Sequence, residues 1–121
     1  MRIMGFSRKW GKLKNDTFTT FRFKRRDADW QVNEQVQIVY KPRSKDREYL
    51  GIAEIIGREL KVIKSHRQTV LGITDEEAIE DGFEDYWDMK LWLFQVYGSR
   101  CFGKVMNKLT LRWVERRRNE L

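Results

Sequence analysis

Thr20 and Arg22 stand two residues apart in the run Phe18-Thr19-Thr20-Phe21-Arg22-Phe23, which has strand composition. In a strand, residues two apart project to one face, so the hydroxyl and the guanidinium point the same way as Phe18, opposite Thr19, Phe21 and Phe23. A guanidinium is a planar fork of donors that can hold a phosphate or a base edge bidentately. Arg8, Lys9, Lys12 and Lys14 precede this run, and Lys24, Arg25 and Arg26 follow it. With Arg22, one edge of the fold is therefore expected to carry eight cations, to which phosphates are the complement. Trp10 and Trp30 flank the stretch and read either as core or as platforms for unpaired bases.

Other chemistries are excluded by what the chain lacks. A single cysteine, Cys101, and a single histidine, His66, cannot form an intrachain disulfide or supply the ligand set of a structural zinc, so no metal or other cofactor is expected. His66, in a basic loop, reads as solvated. There is no Ser-His-Asp elbow, glycine-rich phosphate loop or His-Glu-x-x-His stretch. No apolar run approaches the roughly 20 residues that span a bilayer, and Met1 to Phe6 is too short for a signal sequence. These features predict a soluble cytoplasmic protein with no membrane partner.

At 121 residues the chain is one domain long, and its 16 aromatic residues supply the buriable surface of a folded protein. The net charge of +7 conceals a segregation along the sequence. Residues 1–50 carry +7 and 51–71 carry +2; 72–95 then reverse to −7, with Lys90 alone against eight acidic residues, before 96–121 return to +5. The basic body favours a polyanion, whereas the acidic block could dock a basic partner; such runs are equally often solvated faces. A major-groove DNA helix is disfavoured, because the clearest helical segment is the acidic one and phosphate would repel it.

The elements that must position these residues follow from periodicity and punctuation. Arg2–Phe6 reads as a strand, and Ser7 as the cap of a brief helix to Lys14 with Trp10 and Leu13 on one face. Gln35–Tyr40 alternates as a strand that ends at Lys41-Pro42, and Tyr49–Ile56 and Glu59–Ile63 read as two strands separated by Gly57. Thr74 with Glu77 makes a capping box for a helix from Asp75 to about Asp81, stopped at Gly82. From Glu84, Trp87, Leu91, Phe94 and Tyr97 recur at helical spacing, which predicts a second helix to Gly98 with these residues in the core. Leu109–Val114 reads as a last strand, and a basic tail with Arg116-Arg117-Arg118 begins at about 115.

Three stretches together, Thr17-Phe18-Thr19-Thr20-Phe21-Arg22, Val32-Asn33-Glu34-Gln35-Val36 and Thr74-Asp75-Glu76-Glu77-Ala78-Ile79-Glu80-Asp81-Gly82-Phe83, resemble the ASCH domain, named for homology to an activating signal cointegrator and part of the PUA-like superfamily. The third stretch is the most specific. The resemblance runs from about Arg2 to Val114 and implies a single α+β domain over 1–121, a small PUA-like β-barrel with flanking α-helices. ASCH domains are mainly RNA-binding or RNA-associated modules, so RNA or another single-stranded nucleic acid is the implied partner. Arg22 would lie in the cleft between barrel and helices, either holding a phosphate, base edge or nucleoside or pairing with Asp81.

Some small family members are amidohydrolases acting on acetylated cytidine, and this branch implies a second reading. It uses a lysine, a threonine three residues on and a carboxylate from the helix carrying the Gly-Phe pair. Anchored on Arg22, the threonine is Thr20 and the carboxylate Asp81, but Thr17 occupies the lysine position, leaving Lys14 as the candidate amine. Asp81 in place of a glutamate also shortens the carboxylate by roughly 1.5 Å.

Overall fold

Alternating strand segments separated by turns build one five-stranded sheet in a mixed α+β domain. In the computed structural model, which describes residues 1–62, 72–101 and 103–117, the strands are β1 (Arg2–Phe6), β2 (Thr17–Phe23), β3 (Gln35–Tyr40), β4 (Glu48–Val62) and β5 (Val105–Arg116). His66 and Arg118 lie outside the described residues. The sheet order is β1-β3-β4-β5-β2; β1 and β3 are parallel and the other pairs antiparallel. Although β1 and β2 are opposite edges of this sheet, Phe6 of β1 meets the ring of Phe18 and the guanidinium of Arg22, both on β2. The sheet is thus curled into a half-barrel whose seam is closed by side chains rather than by a hydrogen-bonded ladder.

Burial inside the curl stabilises it. Met4, Val36, Ile38, Leu50, Ile55 and Leu109 belong to one core cluster, all essentially inaccessible to water. Trp30 joins this cluster and carries Arg2 and Arg25 over its ring at 4.4 and 5.3 Å, so it is core and not an exposed platform. A second cluster, including Phe21, Ala78, Phe83, Met89, Leu93 and Met106, joins the sheet to two helices, α1 (Asp75–Glu80) and α2 (Tyr86–Tyr97).

Three local expectations change. The two strands expected on either side of Gly57 are one strand, β4; pairing with β5 continues past a register shift between Ile55 and Gly57, so the glycine marks a bulge and not a break. The helix expected from Ser7 is only a 3-10 turn, Gly11–Lys14, preceded by an extended Trp10 with no side-chain cap. The last strand is longer than Leu109–Val114. The expected tail therefore starts as sheet, with Arg116 donating to the carbonyls of Lys14 and Asn15 and Arg117 to that of Tyr49.

The capping box forms as expected. The Thr74 hydroxyl accepts from the Glu77 amide at 3.1 Å, and the Glu77 carboxylate accepts from the Thr74 amide at 3.0 Å. Glu77 also ties α1 to the sheet through Lys61 on β4 (3.0 Å) and Lys108 on β5 (2.9 Å). Burial pushes its carboxyl up, but hydrogen bonds from Lys108, the Thr74 amide and Lys61 outweigh that and hold it down to about 2. A depressed carboxylate stabilises the fold above its unfolded value near 4.5 and loses that contribution as pH falls toward about 2. Glu77→Gln is accordingly expected to cost about 1–3 kcal/mol at neutral pH. The gap to wild type should shrink below pH 4.5, as measured by urea denaturation across pH.

Candidate functional site: the cleft at the seam

The inward row of β2 runs from apolar to polar: Phe18 is buried in the core, Thr20 follows, and Arg22 faces the seam. There a cavity of about 320 Å³ opens between β1, β2, the 3-10 turn and α2. Phe6, Trp10, Phe83, Trp92 and Tyr97 supply aromatic wall, and Lys12, Thr20, Arg22 and Asp81 supply the polar groups. Thr20, Arg22 and Asp81 thus meet in one cavity.

The amine that joins them is Lys12, not Lys14. Lys12 Nζ lies 2.6 Å from Asp81 Oδ1, with both side chains buried. The 3-10 turn explains the exchange: Lys12 and Leu13 face inward, while Lys14, at its end, is exposed and offers only its carbonyl to Arg116. Burial drives the lysine ammonium down and the Asp81 carboxyl up, each against the attraction of the other. Both shifts move the pair toward sharing one proton.

Arg22 is differently placed. Its Nε donates to Thr20 Oγ1 at 3.2 Å, and its guanidinium lies 4.6 Å from the centroid of the Phe6 ring. Desolvation brings it down to about 10, against the more distant pull of Tyr97 and Asp81. Among the described residues no carboxylate lies within ion-pair distance of it; the nearby acid, Asp81, is engaged by Lys12. Since the Lys12–Asp81 pair is internally compensated, the cavity retains about one positive charge on Arg22.

The remaining cations do not form one free edge. Lys9 pairs with Glu48 at 2.7 Å and Arg25 with Asp27 at 3.1 Å, while Lys12 is turned inward. Arg8 lies over the Trp10 ring at 4.9 Å, and Lys24 and Arg26 are exposed beyond the end of β2. Trp10 is neither simple core nor a free platform: it packs against Phe83 and Trp92 and forms part of the cavity wall. The sequence alone does not mark Phe83, Trp92 or Tyr97 as site residues. The Gly82-Phe83 pair was the available signal, because it follows Asp81 directly.

Gly82 fixes this wall. Its φ is +109°, a conformation that favours glycine, and an added Cβ would lie 3.0 Å from Trp10 Cε3. Gly82→Ala should push Trp10 from its seat and destabilise the domain by about 1–2 kcal/mol. The check is a loss of Tm together with a changed tryptophan emission spectrum.

No protein-family model, curated protein or solved structure matches the chain. Among the described residues no helix is long and apolar enough to cross a membrane, and no cluster of three or more His, Cys, Asp or Glu could hold a metal ion.

Proposed function

We propose that this chain is an ASCH-type, PUA-like module that binds RNA or another single-stranded nucleic acid and takes one nucleotide into the seam cavity. The observation that carries this reading is Arg22: a desolvated guanidinium in an aromatic-walled cavity with no carboxylate at ion-pair distance among the described residues. A phosphate or a polar base edge supplies the missing complement, and the aromatic wall suits the flat face of a base. The volume of about 320 Å³ is at the lower end for a ligand site and fits one nucleotide unit rather than a duplex. Outside the cavity, Arg8, Lys24 and Arg26 supply cations for the neighbouring backbone. Titration of a labelled single-stranded RNA at two salt concentrations tests the proposal. Binding that weakens with salt and is out-competed by unlabelled single strand more than by duplex supports it, and no binding at low salt refutes it.

One observation favours a second reading, amidohydrolysis of an acetylated cytidine-like nucleoside. The buried Lys12–Asp81 pair supplies beside Thr20 the amine that the sequence lacks at Thr17. Thr20 would attack the acetyl carbonyl as its proton passes to the neutral form of Lys12. The nucleoside amine would leave with a proton, and water would release acetate from the threonine ester. Incubation with acetylated cytidine should then yield cytidine, with turnover abolished in Thr20→Ala and Lys12→Met; no turnover retires this reading for that substrate.

A further inference from the structure

Tyr97, one of the four residues expected to form the buried stripe of α2, is 48% exposed and lines the seam cavity, and the other three are exposed as well: Trp87 and Leu91 each 57% and Phe94 45%. Their spacing of four and three places all three on one side of the helix over about 10 Å. The sheet is met by the other side, where Met89 and Leu93 are buried. Beside this stripe lies a groove of about 180 Å³, which shares Trp10, Phe83 and Trp92 with the wall of the seam cavity and runs between Arg8 and Trp10 on one side and Asp88, Leu91 and Trp92 on the other. Leu91 belongs to both the stripe and the groove, so the apolar stripe runs into a groove whose walls also carry the polar side chains Arg8, Asp88 and Gln95.

The exposed charge around this surface is acidic on balance, with two cations within it: Arg8 in the groove wall and Lys90, whose ammonium lies over the Trp87 ring at 4.7 Å. Glu77 and Asp81, the two acidic residues turned inward, are paired with lysines. Glu76, Glu80, Glu84 and Asp88 are exposed around α1 and at the N-terminal end of α2. Exposed large apolar side chains with a charged rim are the mark of an interaction site, and the sign of the rim selects the partner. A nucleic acid would be repelled here, and a second copy presenting the same face would bring a second acidic rim to the contact.

We infer that this face of α2 docks a basic amphipathic helix of a partner protein. Apolar side chains at i, i+4 and i+7 of that helix would lie along Trp87, Leu91 and Phe94, one of them entering the groove. Its lysines and arginines would lie over Glu84 and Asp88. The domain would then hold nucleic acid at its seam and protein on the helical face, two sites that share the wall of Trp10, Phe83 and Trp92.

The test is a titration of the full chain with an 18-residue helical peptide bearing leucines at that spacing and lysines on its flanks. Two control peptides accompany it: a scrambled peptide of equal charge and a peptide with glutamates for lysines. Binding on the order of 10–100 μM is expected for the first, and at least about tenfold weaker binding for both controls. Leu91→Gln and Trp87→Gln, which alter exposed positions, should each weaken it by about tenfold at unchanged Tm and unchanged RNA binding. Equal binding of the scrambled peptide, or binding indifferent to both substitutions, overturns the inference. So does no peptide binding, or sedimentation showing a dimer that dissociates on Leu91→Gln, because a second copy would then be the occupant.

Discussion

Replacing Asp81 with alanine is expected to remove about 3–5 kcal/mol of folding stability, the largest effect of any single substitution proposed for this domain. The cause is the residue left behind. Lys12 is 5% exposed at its side chain and has its ammonium 2.6 Å from Asp81, so without the carboxylate the amine must either stay charged and unpaired in a low-dielectric site or give up its proton there. Lys12→Met should cost less, because a protonated carboxyl is cheaper to bury than an ammonium and burial already pushes Asp81 up. Combining Asp81→Leu with Lys12→Met should recover most of the loss, since two apolar side chains replace a pair whose desolvation nearly cancels its attraction. Urea denaturation of the four proteins measures this directly. A double variant no more stable than Asp81→Ala would show that the pair is not the source of the cost.

Arg22→Ala should have the opposite profile. Loss of a charge-assisted contact to the nucleotide is expected to weaken single-stranded RNA binding by about ten- to hundredfold. Lysine at this position should restore only part of that, because an ammonium lacks the planar fork. Stability should change little or rise, since the guanidinium is held down to about 10 by a desolvation that Tyr97 and Asp81 offset only in part, with no ion pair to it among the described residues. A base with a depressed folded pKa weakens the fold at neutral pH, and the weakness is relieved as pH rises through about 10. Arg22→Ala should flatten that alkaline rise. A variant that loses stability and binding in parallel would instead mark Arg22 as a structural residue. Asp81 and Arg22, in one cavity, are thus expected to separate the stability of the cleft from its proposed binding role.

Features encoded within a few residues were legible in the sequence. The Thr74–Glu77 box needs only local spacing, and both of its hydrogen bonds form. The shared direction of Thr20 and Arg22 follows from the period of a strand, and both residues line the cavity. In the sequence Lys12 is one of many surface cations, because its role depends on Asp81, 69 residues away. The inward face of α2 is hidden in the sequence for a different reason. Nearly every turn of Tyr86–Tyr97 carries apolar residues, so periodicity identifies a helix without selecting its buried side. The structure buries Met89 and Leu93 and leaves Trp87, Leu91 and Phe94 outside. Gly57 was ambiguous because glycine marks bulges as well as breaks, and only the continuous partner β5 distinguishes them.

The most direct test of the seam cavity as the nucleic-acid site is a nuclear magnetic resonance titration of nitrogen-15-labelled protein with a short single-stranded RNA at low salt. Saturable shifts of the Arg22 Nε–H and of the Trp10 and Trp92 indole N–H signals are predicted, because all three side chains line the cavity. Shifts confined to Lys24, Arg25 and Arg26, with those three signals unmoved, would contradict it and place the RNA on the exposed loop instead.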